Sequence, residues 1–520
     1  MSASLAASAV PAAPSALPLD QGWDRATRDE VHHLSFGSRI LPLGWLLNLE
    51  RADSQELLRS DAALVQLGFI PSGPGEGNPD GLPVGISRTT DDQGEVWAGL
   101  TCAACHTGEI RYQGQSLLIE GGQALIDYSG LEEALIASLT ATLEDPHKYA
   151  RFEARVQPVV SAELRGQLQQ RLGYLKQRQA MNASKTPYGP GRLDAFGQIF
   201  NTVAVELLGI EDNARAADAP VSFPFLWGAP HLDLVQWNGS APNQAPGPLV
   251  QNVTTALAVY GSADLRGHSG RAGYPSTVEL SHLGTLQAHF YDLEAPRWPA
   301  QVLGSLDSAK RDRGEVLYRD HCLSCHGISE RGKPDRELRA TLVPLDEIGT
   351  DATMARNFVE ATAATGALEG RDKMVLAGEP FGTEARTIDL VIHAAIGATL
   401  RHPLEAVRAT LQDYHSVYSA TVSPNPLFYK ARPLSGVWAT APFLHNGSVP
   451  TLYDLLLPPE RRPASFTLGN RELDPVKVGF AGGDSRFDTR LAGNGNGGHR
   501  YGTGLEDADR YALIEYLKSL

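Results

Sequence analysis

The chain has 520 residues, 42% apolar and 20% charged, the balance of a globular protein long enough for two or three cores. Its 60 acidic and 45 basic side chains leave a net charge of −15. That argues against nucleic acid or an anionic membrane surface as partner, since each needs a basic stripe. No apolar run approaches the roughly 18 residues of a membrane-spanning helix, and the 52 Gly and 34 Pro predict a chain rich in loops.

Residues 1–19 are uncharged and rich in Ala, Ser and Pro. They lack a basic start and a leucine-rich centre, so they read as a disordered leader or the remnant of an export signal. Residues 20–100 mix short helical stretches with turns: the apolar run 40–46 is interrupted by Pro42 and Gly44, and 71–81 is loop. Residues 96–100 then lead into Cys102-Ala103-Ala104-Cys105-His106, which is echoed by Cys322-Leu323-Ser324-Cys325-His326. Cys-x-x-Cys-His is the attachment motif of c-type haem: two thiols reach the two porphyrin vinyl groups, and the imidazole becomes the proximal iron ligand. A lone Cys-x-x-Cys also suits a thioredoxin-like redox pair or half a zinc site. A zinc site shared by all four thiols, however, leaves both trailing histidines without a use. The motifs take up every cysteine and lie 220 residues apart (102 to 322), which predicts two covalent haem c groups in separate domains. Haem c is attached outside the bacterial cytoplasm, so a periplasmic or secreted protein is expected.

Beyond the first motif, 110–114 and 117–119 predict a β-hairpin. Leu131, Leu135 and Leu139 begin an amphipathic helical region over 129–174, broken at Pro146 and Pro158. Residues 189–196 open a helix carrying Phe200, in which Arg192 and Asp194 either bind haem propionates or cap the helix. An aromatic segment, 223–227 and 237–239, is core, a pocket wall or a bridge between two cofactors. A helix over 249–260 contains Asn252, Leu257 and Tyr260. Pro296 and Pro299 mark a linker at 293–306. A helix from 308 to the second motif and another over 507–520 form a pair that resembles class I cytochrome c, with Gly314 at the crossing and Tyr318 and Tyr516 filling it. The expected fold is mainly α, with two class I cytochrome c-like haem domains, long irregular loops and a few short β-hairpins. Its parts are the leader 1–19, an N-terminal haem domain 20–292, the linker 293–306 and a C-terminal haem domain 307–520.

Residues 429–452 contain Ala441-Pro442-Phe443-Leu444-His445-Asn446-Gly447-Ser448-Val449-Pro450. This segment resembles the bacterial di-haem cytochrome c peroxidase superfamily, and its Leu-His-Asn-Gly-Ser-Val-Pro form is closest to the branch of di-haem rubber oxygenases and fatty-acid dioxygenases. Thr101 to His106, Glu120-Gly121-Gly122, the 189–194 stretch and Trp237-Asn238-Gly239 fit the same branch. Rubber oxygenases are longer, so their substrate-shaping loops do not carry over.

The resemblance implies a catalytic N-terminal haem on His106, open to O2 or H2O2, and a six-coordinate electron-transfer haem on His326. For the second ligand at His326 the branch points to a late histidine in a Gly/Asn-rich loop, here His499 in the loop 493–502. Met374, 48 residues after His326, is the next candidate and His445 the one after. An exposed loop histidine without a role is the plain alternative for His499, and His445 is expected between the haems, bonding a propionate. Trp237, Asn252, Leu257 and Tyr260 are the candidates for the distal pocket at His106. The reading is an oxidoreductase that activates O2 on an unsaturated apolar substrate. The alternatives are a peroxidase fed by a small redox protein and a pure electron carrier. A carrier needs only about 80–100 residues per haem, which weighs against it.

Overall fold

The computed structural model describes residues 16–156, 163–268, 270–333, 337–412 and 422–520. The leader reading for residues 1–15 and the break at Pro158 lie outside the described residues. The helices begin where short polar side chains can accept the first backbone amides: Asp24 caps Arg25–His33, Asp127 caps Tyr128–Glu144 and Asp307 caps Ser308–His321. Pro146 occupies the first position of Pro146–Val156, where its missing amide costs no hydrogen bond.

The expectation of a mainly α fold is corrected. Eighteen short strands accompany the helices among the described residues, in two three-stranded and six two-stranded sheets, so the protein is mixed α and β. The predicted hairpin is present as Thr107–Tyr112 against Gln115–Glu120. The sheets that were missed are mostly pairings between distant segments. Thr341–Pro344 pairs with Phe428–Ala431, and Leu17–Pro18 adds to Gln115–Glu120. Runs of two to four residues carry no periodicity of their own, so only the partner reveals them.

The predicted helix crossing is present. Ser308–His321 packs along Asp507–Ser519. A Cβ on Gly314 would lie 2.0 Å from the Ala512 carbonyl oxygen, so only glycine allows the approach. The Tyr318 and Tyr516 rings meet at 5.3 Å, and Arg313 pairs with Asp509 at 2.7 Å on the outer edge. Elsewhere the chain interleaves. Thr387–Leu400 packs on Gly247–Ala258, and Pro403–Gln412 packs on Leu280–Tyr291. The Arg111 amide donates to the Arg471 carbonyl, whose guanidinium forms a buried ion pair with Glu109.

Candidate haem c centres

The first motif is a single helical turn, Cys102–His106, set by Thr101, whose hydroxyl accepts from the Ala103 amide at 3.2 Å. The strand Val96–Leu100 delivers it, and Ala103 and Ala104 anchor it in the core. The second motif follows the Ser308–His321 helix as a tight turn in which the Cys325 and His326 amides both donate to the Cys322 carbonyl.

The two histidines are braced alike. His106 Nδ1 donates to the Pro224 carbonyl and His326 Nδ1 to the Arg432 carbonyl, each at 2.8 Å. A carbonyl only accepts, so Nδ1 carries the proton and Nε2 keeps its lone pair, the arrangement of a metal-ligating imidazole. Burial pushes the His106 pKa down to about 4 and that of His326 below its ordinary value. The braces are themselves joined. Pro224 precedes Phe225, the Phe225 carbonyl accepts from Arg432 Nη1 at 2.8 Å, and the Arg432 guanidinium lies 3.8 Å over the Phe225 ring.

The donor sets fit haem c better than the alternatives. The four thiols are unpaired and part-buried. Burial raises Cys102 and Cys105 to about 12 and Cys322 to about 11, which disfavours a thiolate at these positions. Among the described residues no three His, Cys, Asp or Glu gather to hold a metal ion, so the four-thiol zinc alternative has no site.

His326 lines a largely apolar cavity with Cys322, Cys325, His499, Trp237 and His445. The His326 and His499 rings face each other at 6.4 Å between centroids. Two imidazoles sharing one metal ion, each nitrogen about 2 Å from it, need a spacing of that order. His499 Nδ1 is buried without a partner, and burial holds the ring neutral, with its pKa near 3.

The Gly/Asn-rich loop is pinned rather than loose. The Arg462 guanidinium donates to the carbonyls of Asn496, Gly498 and His499, and the His499 amide donates to Ile348 at 2.8 Å. Met374 lies apart from this cavity, 48% exposed in a turn. His445 stacks on Tyr429 at 4.0 Å with Trp237 edge-on at 6.5 Å, and burial lowers its pKa to about 4.

The four distal candidates do not gather at one point. Trp237 lines the cavity of the second motif and donates Nε1–H to the Ser222 carbonyl. Asn252 spends its amide on Gln287 at 3.0 Å. Leu257 lies in the core against which Cys102 packs, and Tyr260 in the core against which Cys105 packs. The Tyr260 hydroxyl donates to Glu132 at 2.6 Å, and burial raises the Glu132 pKa. Arg192 is buried, its guanidinium bonded to the carbonyls of Tyr188, Pro187 and Asn446 and to Asn494 Oδ1. Asp194 caps the next helix through the Gly197 amide. The sequence reading missed Arg462 and Glu132 and gave Arg432 no role, although Arg432 stands inside the 429–452 segment it quoted; Pro224 and Phe225 lie in the 223–227 segment it had singled out.

Over 573 aligned residues the chain is 31% identical to the uncharacterized protein y4iJ of Sinorhizobium fredii (strain NBRC 101917 / NGR234), covering 96% of this chain and 93% of that one. The chain belongs to the y4iJ family. A second relative in the same organism, the uncharacterized protein y4iM, is 31% identical over 258 residues, 49% of this chain and 48% of its own. Residues 428–467 match the family described as RoxA-like, cytochrome c-like. In this chain the matched stretch carries the Arg432 brace, His445 and Arg462. A cytochrome c-like segment implies covalently held haem c, and with it a haem oxidoreductase. Among the described residues no helix is long and apolar enough to cross a membrane.

Proposed function

We propose that the protein is a periplasmic or secreted di-haem c oxidoreductase. One haem would be held by Cys102, Cys105 and His106, and the other by Cys322, Cys325 and His326 with His499 as second axial ligand. The observation that carries this reading is the His326–His499 pair, two neutral imidazoles 6.4 Å apart across one cavity. By contrast the His106 ring meets Phe223 edge-on at 6.4 Å, and among the described residues no second imidazole is paired with it. One saturated and one accessible centre is the division expected of an enzyme rather than a carrier. Bound haem supplies redox-active iron on which O2 or H2O2 can be activated. The chain's own part is to keep both proximal imidazoles neutral by burial, to fix their tautomer through the carbonyl braces, and to connect the sites through Pro224, Phe225 and Arg432. Leu257, Phe36 and Phe200 form an apolar core beside Cys102, which favours O2 with an unsaturated apolar substrate.

Peroxide reduction, with electrons from a small redox protein, is the second reading. The buried Glu132–Tyr260 pair favours it, because burial raises the Glu132 pKa and a carboxyl beside an oxidant-binding iron can move a proton between peroxide oxygens. Trp237 and Asn252 serve the first centre in neither reading. Trp237 belongs with His445 between the sites.

His499→Ala should convert one low-spin ferric haem to high-spin in the paramagnetic resonance and visible spectra, with the other haem unchanged. An unaltered spectrum removes His499 as ligand. O2 uptake with unsaturated substrates, run beside peroxide turnover with reduced cytochrome, separates the two enzymatic readings.

A further inference from the structure

A second cavity, of about 460 Å³, shares only Phe225 with the cavity of His326 and His499. Its volume falls in the range of small-molecule sites. One wall is a layered stack: the Arg432 guanidinium over Phe225 at 3.8 Å, and Phe225 against Trp227 at 4.7 Å. Trp298 lines the cavity as well.

The charge here is unbalanced. Arg432 is 9% exposed, and its guanidinium bonds only to the neutral carbonyls of Phe225 and Trp227. Its Nε is buried without any partner. A buried guanidinium normally faces an anion, because neutral acceptors repay little of the cost of taking the charge out of water. Arg297, exposed on the same cavity, has no carboxylate partner among the described residues. Arg331 is committed to Asp20 and Lys518 to Glu515. Of the carboxylates that line the cavity, Glu294 accepts from the Gly332 amide and the Leu520 terminus accepts from the Gly436 amide. Lys430, not Arg432, lines the cavity of the imidazole pair.

We propose that this cavity binds a small aromatic carboxylate of the benzoate class, its carboxylate on Arg432 and Arg297 and its ring against the tryptophans. Two unbalanced guanidinium groups call for one anionic head. The flat aromatic walls select a planar apolar body over an inorganic anion. The Arg432 carbonyl accepts from His326 Nδ1, so occupancy is felt at the second haem. That spectroscopic report rests on the haem reading, whereas the cavity itself does not.

The test is calorimetric titration of the intact haem-loaded protein with benzoate, benzyl alcohol, acetate and inorganic phosphate, with the visible spectrum followed in parallel. Benzoate should bind one to one and shift the low-spin haem bands, and the other three probes should bind at least about tenfold more weakly. Arg297→Gln and Trp298→Ala should each weaken benzoate by about tenfold while leaving both haem spectra of the unliganded protein unchanged. Either a lack of benzoate binding up to about 10 mM or equal affinity for phosphate overturns the proposal. So does undiminished benzoate binding in both variants, the result expected if benzoate ligates the open iron instead. Mass analysis of the same sample counts the attached haems. Two haems without benzoate binding refutes only the cavity, and a missing haem refutes only the haem reading.

Discussion

At the scale of single residues, the decisive groups are those that hold a ligand rather than those that are ligands. Arg462 is 5% exposed and donates to five backbone carbonyls, three of them in the 496–499 stretch. His499 itself sits at φ 44°, in the left-handed region that a non-glycine residue adopts only when its surroundings impose it. Arg462→Met should leave those carbonyls without their donor, at a cost of about 3 kcal/mol. The second haem should then give a mixture of low-spin and high-spin signals, where His499→Ala gives high-spin alone. A wholly low-spin spectrum in Arg462→Met would mean that the loop holds its shape without the guanidinium. The role of Arg462 is not legible from residue type, because an arginine that binds carbonyls and one that binds solvent look the same in a sequence.

At the scale of elements, the helical turn of the first motif depends on a close approach. Gly85, at φ 91°, would place a Cβ 2.3 Å from the Ala104 Cα, and its carbonyl accepts from the Thr101 amide at 2.8 Å. Any side chain there must push against the backbone between the two cysteines. Gly85→Ala is expected to cost about 2–3 kcal/mol and to lower haem attachment at Cys102 and Cys105, with attachment at Cys322 and Cys325 retained. Mass analysis would then show a one-haem species, and full double attachment would count against the dependence. The crossing of Ser308–His321 with Asp507–Ser519 was readable in advance through its resemblance to the helix pair of class I cytochrome c, with Gly314 and the two tyrosines at the contact. Pairings such as Thr341–Pro344 with Phe428–Ala431 were not, since they depend on a partner far off in the chain, and the approach of Gly85 to Ala104 leaves no mark in the local pattern.

At the scale of the whole molecule, packing crosses the boundary drawn at 293–306. One core cluster unites Trp23, Val31 and Leu117 with Leu317, Trp438 and Leu513. A second joins Leu257 and Leu283 to Leu390 and Ala394. The proposed division 20–292 and 307–520 therefore describes where two haems would sit, and folding is expected to be shared. Scanning calorimetry of the intact protein should give one cooperative transition, and residues 307–520 made alone should expose the faces of Thr387–Leu400 and Pro403–Gln412 and aggregate. Two well-separated transitions, or a soluble and folded fragment, would contradict that.

The sequence by itself determined the candidate chemistry: two thiol pairs each followed by histidine, and a signature around His445. The proposed haem attachment would require those residues at that local spacing whatever the fold. The tertiary structure alone decided which carbonyls brace the imidazoles, that His499 meets His326 while Met374 faces solvent, and that Trp237 and Tyr260 belong to different surroundings. Those outcomes depend on chain segments tens to hundreds of residues apart arriving at one place, and local pattern carries no record of such meetings.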